Sequence, residues 1–188
     1  MGSVNMGISV RESRFFQNLM GLSVAIETGT YHGGTSRELS EMFDKVYTIE
    51  KSNIMFDIAR SNLQHIPNVT QYLGDSTNVL PEIVEDNDNI LYWLDAHYSG
   101  GDTAQGVCPL LKELEIIFSH NKNQMILIDD VRLFGRNNNE LGYEHQIINA
   151  IPTDWGIIDF EDVYYVYPKK FETEITNHFS AIGSFITL

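Results

Sequence analysis

The chain has 188 residues, the size of one compact domain, and its 43% hydrophobic, 11% aromatic and 20% charged residues are enough to bury a sizeable core, which excludes disorder, collagen and coiled coil. Lys and Arg total 12 against 26 Asp and Glu, a formal charge of −14 that repels phosphate backbones and anionic headgroups and argues against nucleic acid as a partner. One cysteine, Cys108, permits no internal disulfide, and no apolar run approaches the roughly 18 residues of a membrane span. The N-terminus lacks the basic segment and apolar core of a secretory signal, and Met6 stands where a myristoylation site wants Ser or Thr, so the sequence predicts a cytoplasmic protein without a membrane partner.

Along the chain, Arg11 to Met20 is weakly amphipathic, with Phe15, Phe16, Leu19 and Met20 on one side; it predicts a helix that caps a pocket or covers a sheet edge. Short β-branched or aromatic runs then alternate with helical patterns, the signature of strand-helix units and a parallel sheet. The strands read as Ser23–Glu27, Val46–Glu50, Val69–Leu73, Ile90–Leu94 and Met125–Ile128. Between them, apolar residues recur at helical spacing: Leu39, Met42 and Phe43; Met55, Ala59 and Leu63; Val79, Leu80, Ile83 and Val84; Leu110, Leu111, Leu114, Ile117 and Phe118. Thr35 to Glu38 has a capping-box pattern, and Asp75 or Ser76 can cap the third of these helices. A helix around Glu140 to Ile151 and two strands, Gly156–Phe160 and Val163–Tyr167, follow; the Glu161-Asp162 pair between the strands suggests a terminal hairpin. Phe179 to Leu188 is apolar and predicts an extra edge strand or a contact in a homo-oligomer. Residues 1–22 read as an N-terminal helix or cap, 23–168 as the main domain and 169–188 as a tail packed on it.

In a doubly wound sheet ligands sit at the carboxyl ends of the strands, and here those ends are acidic. They carry Glu27 to Gly34, Glu50, Gly74-Asp75-Ser76, Asp95-Ala96-His97 and Asp129-Asp130. Gly29, Gly33 and Gly34 let the backbone of the first loop pass close to a ligand, although the spacing is not that of the dinucleotide fingerprint. Glu50 follows Gly29 by about 20 positions, where a carboxylate can accept both hydroxyls of an adenosine ribose.

The loop, Glu50 and the Gly74-Asp75-Ser76 turn together resemble the motifs of class I S-adenosylmethionine-dependent methyltransferases, over roughly Ser23 to Tyr167. The resemblance implies a Rossmann-like, doubly wound α/β fold with seven strands, mostly parallel, and a terminal antiparallel hairpin. It implies S-adenosylmethionine as cofactor, with Glu27, Gly29, Thr30 and Gly33 around its methionine end, Glu50 on the ribose, Asp75 and Ser76 at the adenine edge and Asp95 nearby. For Glu27 and Glu50 the alternative is a strand-end carboxylate facing water, and for Ser76 a plain helix cap.

Asp95, Asp129 and Asp130 converge at neighbouring strand ends with no obvious Lys or Arg among them, and a divalent cation such as Mg²⁺ would relieve their repulsion. Metal-dependent small-molecule O-methyltransferases are similar here, with an acidic residue after the fourth strand and an acidic or amide pair after the fifth. Alternatively, Asp95 contacts the cofactor's ammonium group and Asp129-Asp130 cap a turn. Those enzymes often carry a lysine base three positions after the first Asp; this chain has Tyr98, which leaves His97 beside Asp95 as the leading base. His32 is read as shaping the first loop, Tyr98 to Gly106 as a lid, Leu133 to Arg136 as the opposing wall, and Arg132 or Arg136 as a partner for an acidic substrate group.

The reading is a methyltransferase acting on an oxygen of a small-molecule acceptor, a sugar or polyol in particular, with a divalent metal. Its rivals are a metal-independent N- or O-methyltransferase, a non-catalytic cofactor-binding module, and a nicotinamide-dependent oxidoreductase, the last disfavoured by the loop spacing.

Overall fold

Buried apolar runs, too short for helices and rich in β-branched and aromatic residues, set the architecture of the computed structural model, which describes residues 7–96, 108–134 and 144–188. In chain order the elements are α1 (Val10–Met20), β1 (Val24–Thr28), α2 (Gly34–Ser40), β2 (Lys45–Glu50), α3 (Asn53–Leu63), β3 (Val69–Leu73), α4 (Ser76–Asp86), β4 (Ile90–Leu94), α5 (Leu110–Ser119), β5 (Gln124–Ile128), α6 (Glu144–Ala150), β6 (Trp155–Phe160), β7 (Val163–Pro168), α7 (Glu172–Ile182) and β8 (Ile186–Thr187). The strands form one sheet in the order β3-β2-β1-β4-β5-β7-β6-β8. The first five run parallel; β7, β6 and β8 add antiparallel pairs.

The sheet has eight strands rather than the seven expected. The apolar stretch from Phe179 divides: Phe179 to Ile182 complete α7, the backbone turns extended at Gly183, and Ile186 and Thr187 reach the open edge of β6, where Thr187 pairs with Ile158. The extra edge strand is thus present, only two residues long and exposed.

Strand order reverses between β1 and β4, which sends crossover helices to opposite faces and opens a crevice at the strand ends between those two. On one face Phe16 of α1, Leu39 of α2 and Phe179 of α7 cover Ala25, Leu91, Trp93, Leu127 and Tyr165. On the other, Leu80 of α4, Leu114 of α5 and Ile147 of α6 cover Ile26, Tyr92, Ile126 and Tyr164. Both faces of β1, β4 and β5 are therefore buried, which is why those runs are largely apolar rather than alternating. Between the two readings of α1, the structure has it covering the sheet: the Phe16 ring lies 5.8 Å from Tyr165 and 6.3 Å from Phe179.

The capping box is replaced by another start. α2 is preceded by Gly33 in the left-handed region, φ 81°, without a side-chain cap, so Thr35 is already inside the helix. A tight loop from β1 needs glycine at that corner, and a Cβ there would lie 2.8 Å from Leu63 of α3. At α4 the cap is Asp75, whose Oδ1 accepts from the Thr77 amide at 3.0 Å.

α7 contributes the fully buried Phe179 to an aromatic cluster with Phe16, Phe160, Tyr165 and Phe185. Truncating it should leave a cavity beneath the sheet and cost about 3–5 kcal/mol. Urea unfolding of Phe179→Ala should show a lower midpoint with an unchanged slope; an unaltered midpoint would mean that the tail does not share the core.

Candidate active site

The parallel ladder continues one residue past the strands. The Gly29 amide donates to Ile49 O (2.9 Å), Gly74 to Glu50 O (2.8 Å), Asp95 to Thr28 O (3.0 Å) and Asp129 to Leu94 O (3.1 Å). Five strand ends are thereby held in one row. Gly29 has φ 87°, and a Cβ on it would stand 2.4 Å from the carbonyl oxygen of Asp95, so glycine is required where the two loops meet at the crevice.

Glu50 is nearly buried at the end of β2, and each of its oxygens accepts one backbone amide: Oε2 from Tyr31 at 2.9 Å, Oε1 from Ser52 at 2.8 Å. A carboxylate has about four acceptor positions, so this orientation leaves capacity on both oxygens for a pair of hydroxyls. Tyr31 itself sits in the left-handed region with φ 49°, and its ring stacks on His32 at 3.9 Å, in keeping with His32 as a loop-shaping residue.

Glu27 is turned the other way. It is 1% exposed, and its Oε2 accepts from the hydroxyls of Ser36 and Thr48, the latter at 2.7 Å; Thr30 Oγ1 joins Thr48 Oγ1 at 2.5 Å. Thus Glu27 and Thr30 stand in the floor that carries the loop. Burial pushes the Glu27 carboxyl up to about 8, only partly offset by the two hydroxyls.

Asp75 is engaged twice, capping α4 through Oδ1 and meeting Lys51 Nζ through Oδ2 at 2.9 Å; with these donors its carboxyl lies below the usual range. Ser76, 5% exposed, is the first residue of α4.

Asp95, Asp129 and Asp130 do come together, with one carboxylate oxygen from each within 4.8 Å of the others. Burial, then the charges of Asp95 and Asp130, push the Asp129 carboxyl up to about 7. The expectation that no cation lies among them is corrected: Arg132, on the turn after β5, forms ion pairs with both Asp130 and Asp162. The Asp162 carboxylate and backbone carbonyl, from the β6–β7 turn, also accept the amides of Arg132 and Val131, fixing this arrangement. Arg132 is therefore committed within the protein rather than held for an acidic substrate group.

Sequence reasoning missed Glu113. It lies in the first turn of α5 at 1% exposure, beside Thr28 and Ser76, and with Leu94, Ala96, Cys108, Leu110, Asp129 and Phe134 it lines a recess between the mouths of β4 and β5. Burial pushes its carboxyl up to about 7. The available signal was a charged residue on an apolar helix face, between Leu110 and Leu114 and three residues before Ile116. His97, the segment Tyr98 to Gly106 and Arg136 lie outside the described residues.

No protein-family model matches the sequence, and no curated protein matches it. Solved structures do match in fold. An O-methyltransferase from Bacillus cereus in complex with S-adenosylhomocysteine is 17% identical over 87% of this chain and 82% of its own, with TM-score 0.62. The O-methyltransferase TomG from Streptomyces achromogenes, involved in tomaymycin synthesis and solved with S-adenosylmethionine, is 15% identical over 85% and 79%, with TM-score 0.63. The precorrin 8W decarboxylase of Methanobacterium thermoautotrophicum is 21% identical over 88% and 93%, with TM-score 0.53. The fold is that of the class I S-adenosylmethionine-dependent methyltransferases. No helix among the described residues is long and apolar enough to cross a membrane.

The Glu27 carboxyl holds its proton in the folded state up to about pH 8, whereas an unfolded glutamate releases it near 4.5. Between those values the folded state binds more protons than the unfolded state, so stability falls as pH rises through this window. In Glu27→Gln the amide carbonyl can still accept from Ser36 and Thr48, while the charge is gone. Its melting temperature should fall less than wild type's between pH 5 and 8, with a gain on the order of 4 kcal/mol at pH 8. Parallel pH profiles for the two proteins would rule out a buried, proton-holding Glu27.

Proposed function

We propose that the protein transfers the sulfonium methyl of S-adenosylmethionine to an oxygen of a small-molecule acceptor, a sugar or polyol hydroxyl in particular, with a divalent cation held by Asp95, Asp129 and Asp130. The observation that carries the cofactor assignment is Glu50 at the end of β2, one strand from the β1–β4 switch point, its two oxygens each anchored by a backbone amide and each with acceptor capacity left for a ribose hydroxyl. Gly29 supplies the close backbone approach, Thr30, Gly33 and the buried Glu27 shape the loop from within, and Asp75 with Ser76 borders the adenine. When bound, the cofactor supplies an electrophilic methyl group on a good leaving group, so the protein's contribution is mainly alignment and proton removal.

The donor set suits a hard cation. One oxygen from each of three carboxylates, all within 4.8 Å, matches the span of oxygens lying about 2.1–2.4 Å from a common centre, and Asp129 is pushed up first by its burial and then by the charges of Asp95 and Asp130. Such an ion would hold two acceptor oxygens and lower the pKa of the attacking hydroxyl. His97, next in sequence to the Asp95-Ala96 pair, is assigned the role of taking the proton. The Arg132–Asp130 ion pair favours a second reading: with Asp130 already neutralised, Asp95 and Asp129 act alone on cofactor or acceptor, without metal.

Calorimetry with S-adenosylhomocysteine tests the cofactor, and product release from a panel of hydroxyl acceptors, with and without chelator, tests the reaction. Glu50→Ala should weaken S-adenosylhomocysteine binding on the order of 10- to 100-fold, more than it weakens folding, which loses only the acceptor of the Tyr31 and Ser52 amides. Asp129→Asn should abolish transfer and spare cofactor binding. Absence of binding would overturn the assignment; activity that survives exhaustive chelation would select the metal-independent reading.

A further inference from the structure

The recess between the mouths of β4 and β5 holds a buried carboxyl that the mechanism above does not use. Four of the residues that line it, Leu94, Ala96, Leu110 and Phe134, are apolar, and Cys108 adds a thiol. Its acidic walls are Glu113 and Asp129, the second shared with the three-carboxylate cluster. Glu113 is 1% exposed, so the open space it borders is the recess rather than bulk solvent, and its Oε1 has no hydrogen-bond partner among the described residues. A buried carboxyl oxygen without a donor is costly, and a leucine would have continued the apolar helix face there. The free volume is about 10 Å³, room for one water-sized group.

What such a recess takes follows from its size, its lone pairs and its charge. Ionised carboxyls only accept, which turns away carboxylate, phosphate and carbonyl groups. A hard divalent cation wants about six oxygen ligands, more than two carboxyls and apolar walls provide. A primary ammonium is close to water in size, has three donors and no acceptor, and hangs from a carbon stem that apolar walls accept. The protein's own cations at these strand ends are engaged elsewhere among the described residues: Lys51 pairs with Asp75, and Arg132 with Asp130 and Asp162. We propose that the recess is a binding site for a primary ammonium group, with Glu113 as its counter-ion, so that the acceptor is an amine-bearing alcohol such as an amino sugar. Assigning the ammonium to the acceptor rests on the methyl-transfer reading above; the ammonium site itself does not.

The single thiol supplies a probe that needs neither cofactor nor acceptor, because Cys108 lines the same recess. Its rate of reaction is compared for aminoethyl and sulfonatoethyl methanethiosulfonate, similar in size and opposite in charge, each rate divided by that with 2-mercaptoethanol. At pH 8, above the value of about 7 to which burial lifts the Glu113 carboxyl, the cationic reagent should react at least about tenfold faster. Glu113→Gln keeps the shape and loses the charge, and should cut that ratio at least about threefold. A merely structural Glu113 would change both rates together and leave their ratio alone. An unchanged ratio in folded Glu113→Gln overturns the proposal, as does a wild type that reacts equally with both reagents or prefers the anionic one. If Glu113→Gln does not fold, wild type decides: methylammonium should slow labelling by the neutral methyl reagent and acetate should not, and equal effects overturn the proposal. S-adenosylhomocysteine release is then measured with glucosamine, glucose and glucuronate. Preferred transfer to glucosamine supports the acceptor role, and transfer to glucose or glucuronate at an equal or higher rate overturns it. Charge-selective labelling without transfer to any of the three supports the ammonium site and refutes instead the reading of the acceptor as a sugar.

Discussion

The hydrogen-bond ladder that runs past the ends of β3, β2, β1, β4 and β5 is the constraint on which the site depends. Each parallel strand is aligned to its neighbour by slanted, evenly spaced bonds, and the last of these are made by Gly29, Gly74, Asp95 and Asp129, the residues where the chain leaves the sheet. The loops therefore begin in register, although crossover connections of very different length separate them. The approach of Gly29 to the Asp95 carbonyl shows how little slack this leaves: a single methyl group at that point would part the β1 and β4 mouths.

Having aligned its strand ends, the protein puts carboxylates on them, and much of the local structure serves to contain the resulting charge. Four solutions are visible. Glu50, buried at the end of β2, accepts two amides. Glu27 goes inside among hydroxyls and holds its proton. Asp75 takes a helix cap and a lysine. Asp130 takes Arg132, whose guanidinium also reaches across to the hairpin. Asp129, crowded by Asp95 and Asp130, has the least local relief and is the point at which an external cation would gain most.

Much of this arrangement was legible in the sequence because it follows from periodicity and from strand ends. β3 and β4 have the bounds expected of them, and the other strands differ by a residue or so, since buried β-branched runs leave little choice of register. The gathering of Asp95, Asp129 and Asp130 was legible once those strands were set side by side. What the sequence concealed depends on direction rather than position. Whether Glu27 faces outward or inward depends on hydroxyls at positions 36 and 48, and the pairing of Arg132 depends on a turn thirty residues further on. α7 was obscured because its apolar end ran into β8 without a strong stop, and the helix start at Gly33 because Thr35 and Glu38 offered a pattern that the loop geometry overrode.

The two-residue turn between β6 and β7 bears on how far this protein can be stabilised. Glu161 and Asp162 both have positive φ, 49° and 70°, a conformation that a hairpin of this length favours and that Asn-Gly would adopt with less strain. A designer seeking thermostability would replace the pair, and the hairpin by itself would gain. Asp162, however, is also the anchor of Arg132 and of the turn after β5. The strain is thus the counterpart of a fastening between a peripheral hairpin and the acidic mouth of β5, and selection for robustness at the turn would trade against order at the site.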